Sequence, residues 1–199
     1  MKLLNNSGPA IFMYSVIAIS LIISVICFGM FYGGKTESVA VLRTGIVFFI
    51  IMYHMWVRII MGNVSKLFRK HINYKQWWFK ERKFEKKLYK FLRVKDWKGK
   101  ALTYNPEQFS VKDNSPEQLL DTMTKSEVDH WINEAISVGA MFFIIPWGKY
   151  IPGFLFIVTA IAAMIFDSQF IIIQRYNRPR VIKLIERENR KKEKVVTEV

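Results

Sequence analysis

Residues 10–32 read AIFMYSVIAISLIISVICFGMFY, a stretch without a single charge. A run of that length and character can cross the hydrocarbon core of a bilayer as one helix. The preceding MKLLNNSGPA has a faint look of a signal peptide. The apolar run is longer than a usual signal core, and no small-x-small cleavage site follows it. It is therefore read as an uncleaved first membrane helix. Gly33 and Gly34 mark a tight turn after it. A second apolar run covers 38–62, interrupted by Arg43, His54 and Arg58. A third covers about 128–147. After the break PWGKYIPG, a fourth covers about 151–174. The expected fold class is thus an all-α integral membrane protein with four transmembrane helices, folded as a single membrane domain over 1–199.

The basic residues orient these spans. The chain is 51% hydrophobic yet carries a formal charge of +14, so oil and charge must be segregated along it. Segment 63–125 holds 16 Lys and Arg against 7 Asp and Glu, and the tail 175–199 holds 9 against 4. The short connections at 33–37 and 148–150 hold one Lys each. Excess Lys and Arg mark the cytoplasmic side. This predicts a multi-pass protein of the cell membrane with both termini in the cytoplasm. A basic segment beside a membrane pairs with anionic head groups more simply than with nucleic acid, so membrane lipids are the expected partners. The one cysteine, Cys27, lies in an apolar run, which excludes a disulfide framework and a cysteine-based metal site.

Residues 74–100, YKQWWFKERKFEKKLYKFLRVKDWKGK, repeat apolar residues at roughly helical spacing with Lys and Arg between them. They predict an amphipathic helix in the membrane interface, either a plain anchor or also the floor of a substrate groove. Residues 101–119 are turn-rich and read as a loop. Within them, NSPEQ reads as a helix start, with Ser115 as cap and Pro116 in the first turn.

Charged and histidine side chains inside membrane spans are costly, so each needs a reason. His54 and Arg58 are four apart and share a face near the end of the second span. They suit a packing histidine and a snorkelling arginine, or a substrate-binding pair. Asp167 lies inside the fourth span, and Gln174 and Arg178 return to nearly its face. That stripe suits internal pairing within the bundle or a cavity for a polar substrate group. Glu127 and His130 are three apart at the start of the third span. A carboxylate beside an imidazole can fix its tautomer and raise its basicity, as a general base requires. The plainer alternative is an acidic helix start with interface anchors. Three histidines without an HExxH pattern do not suggest a metal. No Walker loop, GxGxxG, GxSxG or HxxxxD pattern is present, so no bound cofactor is expected. The third helix starts, and the fourth ends, at the cytoplasmic surface. His130, Glu127, His54, Arg58 and the stretch QRYNRPR at 174–180 are therefore expected at one depth. The Pro should bend the chain at Arg178.

The stretches VKDWKGK (94–100), SEVDHW (126–131), KYI (149–151) and IIIQRYNRPR (171–180), in that order, resemble the glycosyl-4,4'-diaponeurosporenoate acyltransferase family. The resemblance covers about 77–187. It implies transfer of a fatty acyl group to a sugar hydroxyl of a glycosylated carotenoid, the last step of staphyloxanthin-type synthesis. The acyl donor would be an acyl thioester or a lipid, and the acceptor a lipid-like molecule. In such a reaction His130 would deprotonate the hydroxyl, oriented by Glu127. Arg175, Arg178 and Arg180 would bind donor phosphate or the developing oxyanion, with Tyr176 and Asn177 as hydrogen-bond donors. Two other readings stand beside it. One is a small membrane methyltransferase or reductase with a nucleotide-type cofactor. The other is a non-enzymatic membrane scaffold. Nothing in the sequence sets the oligomeric state.

Overall fold

The computed structural model describes residues 8–64, 67, 71–101 and 106–197. Part of the loop expected over 101–119 and part of the basic segment after the second span lie outside the described residues, as do the two chain ends. Among the described residues all regular structure is helical. Four long helices, α1 (Gly8–Tyr32), α2 (Val39–Val64), α5 (Pro116–Gly139) and α7 (Phe154–Thr197), are joined by three short ones. These are α3 (Glu85–Phe91), α4 (Val94–Trp97) and α6 (Ile144–Trp147). Four stretches are long and apolar enough to cross a membrane: Ile11–Tyr32, Val39–Val64, Pro116–Trp147 and Phe154–Lys191. The four expected spans thus appear as helices. Their apolar residues are broadly uncovered, as with Phe12, Ile22 and Val25 on α1, which suits a hydrocarbon solvent and not water.

The chain gathers into two compact units. One holds α1, α2 and Ile132–Asp167; the other holds the chain between α2 and Trp131, and the chain from Ser168 onward.

In the first unit, α1 ends in a left-handed cap. Gly34 takes φ +71°, the Gly34 N–H donates to the Phe31 carbonyl, and the Lys35 N–H donates back to Met30. This is a Schellman motif, and a residue without Cβ meets its αL requirement at no steric cost. The chain reverses there into α2. The two helices approach closely at Gly45, where a Cβ would lie 2.9 Å from that of Cys27. Ser24 donates to the Gly45 carbonyl at 3.1 Å across the same contact. Leu42, Ile46, Ile50, Ile151 and Phe156 form the core of this unit, ringed by Phe28, Phe31, Phe143, Trp147 and Tyr150. Arg43 faces neither lipid nor core with its charge bare: its Nε donates to the Tyr150 carbonyl at 2.6 Å.

In the second unit, Leu119, Leu120, Met123 and Val181 pack α5 against α7, with Tyr74 and Phe109 alongside. The start of α5 is a reciprocal capping box. Gln118 N–H donates to Ser115 Oγ at 3.2 Å, and Ser115 N–H donates to Gln118 Oε1 at 2.9 Å. Pro116 occupies the first helical position, where its missing N–H costs nothing.

Three expectations change. Residues 74–100 do not form one amphipathic helix. They form a 3₁₀ turn at Trp77–Phe79, then α3, α4 and a second turn at Lys98–Lys100. Arg93 breaks the run with φ 51°, and Glu85 and Tyr89 turn inward to polar partners that a uniform lipid-facing helix would not offer. The third span is not one regular helix either. It passes from α5 through a 3₁₀ stretch, Ala140–Phe143, into α6, whose Pro146 cannot supply a backbone donor. Finally, the chain does not leave the helix at Arg178. Helix α7 continues through Pro179, with the flanking arginines pinned by side-chain partners.

Candidate functional site

Helix α7 carries the stretch QRYNRPR along the second unit, and almost every residue of it has a partner there. Arg175 lies at the centre. Its Nε and Nη2 donate to Glu85 Oε1 at 3.0 and 2.7 Å, and its Nη1 donates to Glu127 Oε1 at 2.7 Å. Arg178, 1% exposed, donates through Nη2 to Glu127 Oε2 at 2.5 Å and through Nη1 to the Phe79 carbonyl at 3.3 Å. Glu85 also accepts from the Tyr89 hydroxyl at 2.7 Å. Two carboxylates and two guanidiniums thus alternate through a buried network joining α3, the turn at Phe79, α5 and α7. The charges balance, and the carboxylates receive several donors, which is the condition for holding ions away from water. Burial, and then the Glu85 hydrogen bond, push the Tyr89 phenol well above its ordinary pKa, so it remains a donor throughout the neutral range.

The rest of the stretch serves the same contact. Gln174 Nε2 reaches Ser126 Oγ at 3.4 Å. Lys98 Nζ donates to Asn177 Oδ1 at 2.8 Å. The Tyr176 ring meets Tyr89 edge-on at 5.4 Å, with the Arg180 guanidinium 3.7 Å from its centre. Burial, and then the Arg180 charge, lower the Lys98 pKa.

His130 stands one turn along α5 from Glu127. Its ring stacks on Phe170 of α7 at 4.6 Å, nearly parallel. The partners shown for Glu127 are Arg175, Arg178 and the Trp131 indole at 3.4 Å. The carboxylate therefore braces the helix that carries His130 through the two arginines. Arg175 and Arg178 aim their guanidiniums at Glu85 and Glu127, not into open solvent.

The other three predicted residues belong to the first unit. Arg58 Nη2 donates to Asp167 Oδ2 at 2.6 Å and to the Ala163 carbonyl at 3.2 Å, and Nη1 donates to the His54 carbonyl. Asp167 is fully buried. The acid within this apolar helix is thus matched by an arginine of α2. His54 is buried on the same helix, its ring edge-on to Tyr53 at 5.4 Å.

Sequence reasoning missed Glu85. It sits in the basic run FEKKLYK, where an acid reads as a solvated counter-charge. The available signal was its spacing: Glu85 and Tyr89 are four apart and share the inward face of α3.

The second unit also bears an open groove of about 530 Å³ beside this network. Six cations, Lys86, Lys90, Arg93, Lys95, Arg180 and Lys183, and two carboxylates, Glu81 and Asp96, line it, together with Tyr89 and Tyr176.

The profile of the glycosyl-4,4'-diaponeurosporenoate acyltransferase family matches residues 75–187. That is more than half of the chain, and it takes in Glu85, Glu127, His130 and the whole arginine stretch. The chain belongs to this acyltransferase family. Comparison with curated proteins and with solved structures yields no match. Within the family assignment the charged network has a plain meaning. The stretches that carry the resemblance, VKDWKGK, SEVDHW and QRYNRPR, are the ones that meet through Lys98, Glu127, Arg175 and Arg178. An acyltransferase role in carotenoid biosynthesis follows from the family, and four apolar helices fit a membrane protein.

Proposed function

We propose that this acyltransferase moves a fatty acyl group from a thioester donor to a sugar hydroxyl of a glycosylated carotenoid or similar lipid. The reaction takes place at the cytoplasmic face of the cell membrane, where both termini lie. The observation that carries this reading is His130 on the braced turn of α5, stacked against α7 where the apolar part of that helix gives way to the arginine stretch. An amphiphile presents its hydroxyl at such a boundary and keeps its chain in hydrocarbon.

His130 acts as general base. It takes the proton of the sugar hydroxyl as the oxygen attacks the thioester carbonyl. The new C–O bond forms, the C–S bond breaks, and the imidazolium returns the proton to the departing thiolate. A positioned base of this kind contributes roughly 10²–10⁴-fold. Glu127, Arg175 and Arg178 act as positioning residues: their buried charges fix α5 against α7 and so fix the imidazole. Arg180 and Tyr176, at the groove, face the donor.

Membranes containing the full-length protein, supplied with a glycosylated carotenoid acid and a fatty acyl thioester, should yield the acyl ester by mass spectrometry. Hydroxylamine should cleave the added chain from it. Absence of any acylated product across thioester and phospholipid donors would overturn the reading.

A further inference from the structure

The groove of the second unit points to the chemical class of the donor. Of its six cations, Arg93 is paired with Asp96 at 2.9 Å and Lys86 with Glu81 at 3.6 Å. Among the described residues no carboxylate pairs with Lys90, Lys95, Arg180 or Lys183. The two carboxylates that also line the groove, Glu81 and Asp96, are taken by those pairs, so four cations remain in excess on one concavity, and Lys98 behind Tyr176 adds to the same field. Clustering like charges raises the energy of the empty site, and a polyanion relieves it. The volume falls within the range of small-molecule sites.

The distance along α7 narrows the choice. Phe170, against which His130 stacks, and Arg180, at the groove, are ten residues apart on one helix. At 1.5 Å per residue that is about 15 Å. A donor held in the groove must therefore carry its reactive carbonyl on a long polar arm. A phospholipid cannot, because its ester lies only a glycerol unit from its phosphate. A nucleotide thioester can: an extended pantetheine arm has about that reach. Its pyrophosphate and its phosphate monoester together carry roughly four negative charges, matching the four unpaired cations.

We infer that the groove lined by Lys90, Lys95, Tyr176, Arg180 and Lys183 binds the phosphorylated nucleotide of an acyl-coenzyme A, with its thioester reaching along α7 to His130. This rests on the acyl-transfer reading for the acyl group but not for the nucleotide, which is bound by its phosphates.

The test uses full-length protein in neutral detergent micelles, with coenzyme A and adenosine 3',5'-bisphosphate as probes in calorimetry. Both should bind the wild type. The double substitution Lys95→Ala, Lys183→Ala should weaken both by at least about tenfold, whereas Lys112→Ala, on an exposed position away from the groove, should change neither. With acyl-coenzyme A as substrate, the double variant should raise KM similarly and leave kcat within about twofold. A thermal melt matching wild type excludes misfolding of the variant. Equal binding by the double variant overturns the inference. So does displacement of coenzyme A by phosphatidylglycerol micelles that bind as tightly, which assigns the groove to lipid head groups. Acyl transfer that proceeds only from an acyl carrier protein, uninhibited by coenzyme A, also overturns it and leaves the acyltransferase reading intact. Groove-dependent coenzyme A binding without acyl transfer from any donor supports the groove and removes the proposed reaction instead.

Discussion

Glu127 is a fully buried carboxylate facing two guanidiniums, and its charge is what makes that arrangement tolerable. Glu127→Gln keeps the shape and removes the charge. It should leave Arg175 sharing one carboxylate and Arg178 without any, at a cost of about 3–5 kcal/mol, read by thermal or denaturant unfolding in micelles. Arg93→Ala removes an ion pair whose partners are 81% and 55% exposed, and should change stability by less than about 1 kcal/mol. If the two variants unfold alike, the network has no special structural role. The sequence made Glu127 visible, because an acid at the mouth of an apolar run needs an explanation. It did not make its partners visible. His130, three residues away, was the natural neighbour to read. The observed charged partners are 48 and 51 residues away, and no local periodicity encodes such pairings.

At the scale of the element, helix ends were the most legible features. Ser115, Pro116 and Gln118 have a pattern that follows from the unpaired donors of any helix start, and they form the expected cap. Ser115→Ala should cost about 1 kcal/mol, without altering the spectrum of the folded state by circular dichroism. Pro179 was less legible. Its ring and missing N–H disfavour a continuing helix locally, but α7 is held on both sides of it by Arg175, Arg178 and Val181. Tertiary contacts override the local preference there. Pro179→Ala should therefore preserve the fold and slow hydrogen exchange over the following turn, since an interior proline costs about 3 kcal/mol relative to alanine. Faster exchange would show that the proline supports the helix instead. The segment 74–100 misled in the other direction. Its apolar spacing is helical, but the αL residue Arg93 cannot be read from such spacing, and the inward turn of Glu85 depends on an arginine 90 residues away.

At the scale of the whole molecule, the four apolar helices were the easiest part to foresee, because a span must be long and nearly uncharged to exist at all. The excess of Lys and Arg in the segments flanking the spans is the ground for the proposed orientation. In a Cys27→Ser background, Lys112→Cys should react with an impermeant thiol reagent only from the cytoplasmic side, and Glu37→Cys only from the opposite side. Labelling of both from one side would contradict the orientation. Less of the site could be foreseen: the arginine stretch and the His130 turn stand out as sequence, but the groove is made by side chains from α3, α4 and α7, and only folding brings these together. The central claim is that a family acyltransferase acts through His130 at the α5–α7 contact. It is tested most directly by the turnover of His130→Gln on a glycosylated carotenoid acid, with variant and wild type matched for thermal stability. The account predicts a fall in kcat of at least about 100-fold with little change in KM. Wild-type turnover by His130→Gln would contradict it.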